Sequence, residues 1–600
     1  MIILGIHDGH NATAALIKDG TVLACASEER FTKIKNDLGY PQRAIESIIH
    51  DTGIHPSQID YIAFATIYYE PLPGRLKRET NYKISDYIRE MHEHWHKVLI
   101  EKKESTYFQD LLNDTKFSMG LEKYYDYHFM TTEQEDKWPV LMNEARCKKV
   151  MEHIGILKDR IHFIDHHTGH AHYAYFAAPH DSKRKAVIVT ADGWGDGCNG
   201  TISVIEHGQI REIKRTQMCN MARIYRWITL LLGMKPNEHE YKVMGLAPYS
   251  NEYIKKSAYE IFRKTLVVEG LDFKWEVQPP DMYFYFRDSC EGLRFDGIAA
   301  GLQQWVEDLL SQWITNIMNH TGAEVLYYSG GLSMNVKANK VIAELPSVKD
   351  FHVPPSGGDE SLAIGAAFTL SCKLGIQPHT LKNAYLGYEP TIEESRKAID
   401  HFRNNRGYII FENPSNEIIA EHLHSGKVLG RCVGKMEFGA RSLGNRAILC
   451  DASHYENVRI INEKIKFRDF WMPFTPSILF NRAKDYLINP KNLKAEYMTI
   501  AFDSTPLARE HLKAAIHPYD FTVRPQLVSQ DTNKDYFELI KAYEKKTGIG
   551  GLLNTSLNLH GYPIVCTAED AIDTFVRSGL DGIILPGFLI LRSFKDSNEN

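Results

Sequence analysis

The chain has 600 residues, of which 43% are hydrophobic and 24% charged, with a net charge of −6 and a pI near 6.5. That length exceeds a single core and calls for two to four domains. The acidic balance argues against a general electrostatic nucleic-acid binder, and no apolar run is long enough to span a bilayer. Nine scattered cysteines without a CxxC pair point to reduced thiols and a cytoplasmic protein.

The opening stretch, Met1-Ile2-Ile3-Leu4-Gly5-Ile6-His7-Asp8, lacks a basic region and a cleavage site, so it reads as a first strand and not a signal peptide. From here to Ser371 one pattern occurs twice. The first copy is strand Ile2–Ile6, loop Asp8-Gly9, strand Ala12–Ile17, turn Lys18-Asp19-Gly20 and strand Thr21–Ser27. Strands Asp60–Ala65 and Arg160–Ile164 and helix His167–Ala178 follow. The second copy is strand Ala186–Thr190, loop Asp192-Gly193, strand Gly200–Ile205, turn Glu206-His207-Gly208 and strand Gln209–Arg215. Strands Glu324–Tyr328 and Asp350–Val353 and helix Ser361–Ser371 complete it. Both turns end in glycine, as tight hairpins prefer. Two such α/β lobes facing each other bring corresponding strand ends to one cleft. Asp8, His10, His166, His170, Asp192 and Asp359 are expected to converge there, Asp359 being the second-lobe counterpart of the His166 region.

Residues 68–150 interrupt the first copy with charged, aromatic, helical sequence. A long insertion beside a cleft is a lid, a specificity element or a packing bundle. Within it, His92-Glu93-His94-Trp95-His96 spells HExxH. It is read as coincidence, because charged side chains surround it and no third ligand follows. His166 and His170 lie four apart in the run His166-His167-Thr168-Gly169-His170, on one helical face. With Asp192 at the end of the apolar strand Ala186–Thr190, two imidazoles and a carboxylate suit a divalent metal. A histidine-rich surface helix is the plainer alternative.

A linker at Gly375–Thr380 leads to a second region with four basic or polar stretches. These are Gly439-Ala440-Arg441-Ser442-Leu443-Gly444-Asn445-Arg446, Lys464-Ile465-Lys466-Phe467-Arg468, Thr522-Val523-Arg524-Pro525-Gln526 and Asn554-Thr555-Ser556-Leu557-Asn558. Arginine offers a planar fork to anionic oxygens, so these stretches suggest a phosphate pocket.

Taken in order, the motifs make the chain resemble the NodU/CmcH O-carbamoyltransferases, the family that includes tobramycin carbamoyltransferase. They are His10-Asn11-Ala12-Thr13-Ala14-Ala15-Leu16, Asp19-Gly20, Glu28-Glu29-Arg30-Phe31-Thr32-Lys33-Ile34-Lys35, the HHxxH run, Asp192-Gly193, Lys242-Val243-Met244-Gly245-Leu246-Ala247-Pro248-Tyr249, Ser329-Gly330-Gly331 and the four stretches above. The resemblance implies an α/β protein of two modules. Residues 1–380 would be a duplicated actin-like (ribonuclease H-like) metal-binding module carrying the 68–150 insertion. Residues 381–600 would be a YrdC-like module forming carbamoyladenylate from carbamoyl phosphate and ATP, with pyrophosphate and phosphate released. The carbamoyl group then passes to a hydroxyl of a small specialised metabolite.

The implied site has His166, His170, Asp192 and Asp359 holding iron(II), with zinc or manganese as alternatives, and Mg2+ accompanying ATP. His10 is the general base and Lys35 neutralises the adenylate phosphate. Ser329, Gly330, Gly331 and Asn335 approach the nucleotide. Arg441, Arg446, Lys466, Arg468 and Arg524, with Asn554 and Ser556 as neutral donors, hold phosphate. Three departures stand out. Met472 replaces an arginine of the family, Phe521 replaces a glycine, and Asn11 stands where many members have aspartate. The competing readings are a tRNA threonylcarbamoyl-type enzyme and a nucleotide-binding regulator. A homodimer is left open.

Overall fold

The computed structural model describes all residues except 70, 71, 73–75, 77–80, 115–123, 181, 182, 404–406, 468 and 594–600. The chain divides into two compact units, Met1–Leu381 and Lys382–Asn600. Both are mixed α/β. No helix among the described residues is long and apolar enough to cross a membrane.

The first unit contains the duplication. Strands β1 (Ile2–His7), β2 (Thr13–Lys18), β3 (Thr21–Ser27), β4 (Tyr61–Ala65) and β5 (Ile161–Ile164) form a sheet of order β3-β2-β1-β4-β5. Strands β6 (Ala186–Gly195), β7 (Cys198–Glu206), β8 (Gln209–Thr216), β9 (Val325–Ser329) and β10 (Asp350–His352) form a second, of order β10-β9-β6-β7-β8. Read from the hairpin edge, the two orders are the same. In each sheet the first three strands are antiparallel and the last two join in parallel.

Each last strand feeds a helix, His166–Phe176 in the first half and Leu362–Lys373 in the second. These equivalent helices cross at glycine. A Cβ on Gly365 would stand 2.2 Å from the Gly169 carbonyl oxygen, far inside van der Waals contact, so only glycine admits this approach.

Most expected boundaries shift by a residue or two, and two of the shifts have a clear backbone cause. β2 begins at Thr13 and not Ala12, because Asn11 takes a left-handed φ of 58°, which Asn and Asp both tolerate. β6 continues past Thr190 to Gly195, with an irregularity after Ala191. Its hairpin closes on Asp196-Gly197, both at positive φ, a favoured pairing for a tight turn.

The insertion contributes to both halves. Tyr124, Tyr125, Tyr127, Met142, Cys147 and Val150 join the core of the first sheet. Leu76, Tyr82, Tyr87, Met91, Tyr107 and Leu111 cluster with Leu230, Tyr283 and Phe284 of the second half.

The second unit is built on an eight-stranded mixed sheet. Its strands in spatial order are Tyr408–Glu412, Phe588–Arg592, Gly582–Leu585, Leu429–Cys432, Arg446–Cys450, Gly551–Ser556, Thr475–Leu479 and Gln526–Val528. A three-stranded sheet of Leu487–Ile488, Phe502–Ser504 and Thr522–Val523 accompanies it.

Candidate functional site

In the first unit, Asp165 caps the His166–Phe176 helix, its carboxylate accepting the Thr168 amide at 2.8 Å and the Arg215 guanidinium at 2.9 Å. The helix begins at His166, so His166 and His170 project one above the other. Asp192 comes from the irregular part of β6, and Asp359 from the turn before the second helix. The structure therefore brings four of the expected residues together. His170 Nε2 lies 3.3 Å from Asp192 and 3.5 Å from Asp359, and His166 Nε2 lies 3.7 Å from each. One donor atom from each residue falls within 4.8 Å of all the others, the only such group among the described residues.

The donors fit a cation. His166 Nε2, His170 Nε2 and Asp359 Oδ1 are buried without a hydrogen-bond partner, an expensive state for three polar atoms unless something sits among them. Donors about 2.1 Å from a tetrahedral ion are about 3.4 Å apart, which matches the spacing. Burial lowers the His170 imidazole, but Asp192 and Asp359 outweigh it and lift it to about 9. Burial raises Asp192, but the two neighbouring imidazoles drive it well below the usual carboxylate range. Supporting contacts orient the donors. The Gly331 amide donates to Asp192 at 2.8 Å, and Ser329 Oγ meets His170 Nδ1 at 3.4 Å. His167 takes no part. Its ring bonds Thr190 Oγ1 at 2.7 Å, and burial pushes it down to about 3.

Around this cluster several expectations change. Asp8 does not join it. Arg146 of the insertion clamps the Asp8 carboxylate at 2.8 and 2.9 Å, and Tyr125 donates to it at 2.5 Å. Successive strand residues face opposite ways, and His7 takes the cleft side. It senses Asp359 and His166, and burial holds it down to about 4. The sequence reading passed over His7, although its place at the end of β1 was a usable signal.

Gly330 and Gly331 pack against Ala191 and Asp192 beside the four-residue cluster. Gly330, at φ 96°, would place a Cβ 2.2 Å from the Ala191 carbonyl, and its amide bonds Gly357. Asn335 is an N-cap, accepting the Ala338 amide at 3.1 Å and pairing with Gln303. Lys35 is bound to Glu238 at 3.0 Å; burial raises that carboxyl, but Lys35 and Lys235 hold it at about 2. His10 Nδ1 is buried without a partner. Glu93 of the HExxH run is spent on Arg89, and His92 and His96 pack on the Phe284 ring.

In the second unit, the basic stretches meet at one end of the large sheet. Ser442 donates to Asn554 at 3.2 Å, Asn554 donates to Gln526 at 3.2 Å, and Lys466 donates to Ser556 Oγ at 3.1 Å. Arg441 and Arg524 flank this network and are half-buried. Three members do not fit the phosphate role expected of them: Lys466 is buried with its ammonium engaged by Ser556 and Asn558, and two more are satisfied within the fold. Arg446 is fully buried and spends its guanidinium on the carbonyls of Cys566, Gly434, Asn445 and Tyr388. Asn554 is buried and satisfied by Ser442, Ser477 and Gln526. Arg468 lies outside the described residues. Glu437, which the sequence reading missed, anchors the loop by accepting the amides of Leu443, Asn445 and Arg446 at 2.7, 3.2 and 3.1 Å. Met472 is buried. Phe521 keeps a left-handed φ of 56° in the glycine position, with Arg509 stacked 4.5 Å from its ring centre.

Similarity to known proteins bears on both units. An uncharacterized protein of Methanocaldococcus jannaschii is 29% identical, over 98% of this chain and 99% of its own length. Nodulation protein NolNO of Sinorhizobium fredii is 27% identical, over 97% of this chain and 79% of its own. Among solved structures, the activator of the 2-hydroxyisocaproyl-CoA dehydratase from Clostridium difficile aligns at 11% identity. It covers 62% of this chain and 96% of its own with a TM-score of 0.30, too low to carry an argument. Residues 2–368 match the model described as carbamoyltransferase N-terminus, and residues 420–592 match carbamoyltransferase C-terminus. The chain therefore belongs to the carbamoyltransferase family, whose general chemistry is the transfer of a carbamoyl group.

Proposed function

We propose that the protein is an ATP-dependent O-carbamoyltransferase of two modules. Residues 1–380 form an actin-like, metal-binding transfer module, and residues 381–600 a YrdC-like module that makes carbamoyladenylate. The observation that carries this reading is the buried four-donor cluster of His166, His170, Asp192 and Asp359 in a member of the carbamoyltransferase family.

Carbamate is a poor acyl donor, and adenylation supplies a leaving group. Water frees carbamate and phosphate from carbamoyl phosphate. The carbamate oxygen then attacks the α-phosphorus of ATP and pyrophosphate leaves. The hydroxyl of a small specialised metabolite attacks the carbamoyl carbon, and AMP departs. Phosphoryl chemistry of this kind rests on positioning and charge neutralisation. Arg441 and Arg524 supply that charge in the second unit, with Ser556 as a neutral donor, while Lys466, Arg446 and Asn554 hold their loops in place. Mg2+ accompanies ATP. A divalent ion held by the first unit, iron(II) ahead of zinc or manganese, lends Lewis acidity to a phosphate or carbonyl oxygen.

His10, whose buried Nδ1 lacks a partner, takes the proton of the acceptor hydroxyl. Lys35 reaches the adenylate phosphate by exchanging Glu238 for it. Carbamoyl phosphate-dependent pyrophosphate release from ATP tests the first half-reaction. A mass gain of one carbamoyl group in a metabolite screen tests the second. Absence of pyrophosphate release with both substrates present would exclude the adenylate route.

A further inference from the structure

The helix Met221–Leu231 borders the cleft of the first unit and has three kinds of surface. Met221, Ile224, Tyr225 and Ile228 are buried. Trp227, Leu230 and Leu231 pack against the insertion. Arg223 and Arg226, one turn apart, remain. Among the described residues neither guanidinium has a carboxylate or carbonyl partner within hydrogen-bonding distance, and Arg226 Nε is buried without one. Other basic residues near the cleft are paired: Lys35 and Lys235 with Glu238, and Arg215 with Asp165. The charge of Arg226 is felt by Glu240, whose carboxylate already accepts the Asn237 amide at 2.7 Å.

The two arginines have aromatic neighbours. Arg223 lies 5.6 Å from the ring centre of Trp194, and Arg226 lies 4.7 Å from that of Trp227. Trp194 is 49% exposed and follows Asp192 by two residues in the irregular part of β6. Large aromatics left open beside a polar cleft mark binding surfaces. Side chains three apart on a helix stand about 5–6 Å apart at Cβ, so both forks can reach one anionic group. Two like charges at that spacing repel in the free protein, and an oxyanion between them removes the repulsion.

We propose that Trp194, Arg223 and Arg226 form an oxyanion subsite beside the four-donor cluster, taking a ring-bearing substrate by one phosphate or carboxylate group. The ring lies on the open surface of Trp194, and the guanidinium forks hold the anion. This rests on the cluster being the transfer site. The anion has two sources, the phosphate of the nucleotide donor or an acid carried by the acceptor.

Equilibrium binding to the full-length protein, by calorimetry and indole fluorescence, tests the subsite. The probes are AMP and glucuronate, with adenosine and glucose as their uncharged counterparts. At least one anionic probe is expected to bind ten-fold tighter than its counterpart and to lose ten-fold or more in the Arg223→Gln/Arg226→Gln double variant. Its fluorescence change is expected to vanish in Trp194→Leu. A loss confined to AMP assigns the donor, and one confined to glucuronate assigns the acceptor. An Arg223→Lys/Arg226→Lys variant, which keeps charge without the fork, is expected to lose less than the glutamine pair, and circular dichroism verifies that each variant is folded. Failure of both probes to bind, or affinities unchanged in the double variant, overturns the subsite. Because these titrations need neither metal nor turnover, they are read independently of metal binding by the cluster. Intact metal binding with no anion binding sinks the subsite alone.

Discussion

His170 and Arg446 look alike in the sequence, each a candidate ligand-binder in a polar stretch, and the structure separates them. His170 presents a buried, unpartnered nitrogen to two carboxylates. His170→Ala is expected to abolish stoichiometric metal and acceptor carbamoylation while pyrophosphate release continues. Loss of both half-reactions together would contradict the division of labour. The His170 imidazole, lifted to about 9, keeps its proton below that pH, and a metal must displace it. Metal affinity, measured by chelator competition, should therefore climb from pH 6 to 9, by up to about ten-fold per unit, and then level off. A flat profile would mean that no proton is exchanged. Arg446→Met deprives the Cys566 and Gly434 carbonyls of their guanidinium donor, each costing about 1–3 kcal/mol. We expect at least about 2 kcal/mol lost in urea unfolding. Arg441→Ala should instead leave stability within about 1 kcal/mol and abolish pyrophosphate release.

The His166–Phe176 helix depends on its cap. Burial raises the Asp165 carboxyl, but Arg215 and the Thr168 amide and hydroxyl outweigh it and hold it at about 2. A folded pKa below the ordinary 3.8 means stability present above about pH 4 and lost as pH falls toward 2, worth about 2 kcal/mol in full. Asp165→Asn keeps a capping oxygen and removes the charge, so acid unfolding should lose that component while neutral-pH stability drops by about 1–2 kcal/mol. An unchanged acid limb would refute the assignment.

At this level the sequence was most legible. Alternation and glycine turns located the ten strands of the two duplicated sheets, though not the short Leu266–Glu269/Asp272–Trp275 hairpin, and the internal repeat placed Asp359 opposite His166. What it could not show was which way a strand-end residue turns. Asp8 and His7 are adjacent, and only the arrival of Arg146 from the insertion decides that Asp8 faces away. Likewise, an arginine motif does not reveal whether its fork meets solvent or backbone carbonyls. That depends on residues more than a hundred positions away, as Cys566 is for Arg446.

On the proposed two-module reading, a carbamoyl carrier is made in one compact unit and consumed in the other. If the carrier is the adenylate, hydroxylamine should intercept it, its nitrogen attacking the carbamoyl carbon with AMP leaving, to give hydroxyurea. His170→Ala supplied with ATP and carbamoyl phosphate should form hydroxyurea and AMP in equal amounts by mass spectrometry. Pyrophosphate without hydroxyurea would rule out the mixed anhydride as the carrier.

The Gly169–Gly365 crossing has a mechanical consequence. Two cluster nitrogens ride on the first half of the duplicated unit, while the two carboxylates belong to the second. The crossing pins those halves with no slack for even a methyl group. A hinge there would pull the four donors apart within a few degrees of rotation, so an ion held by them would act as a rivet whose retention reports the angle between the halves.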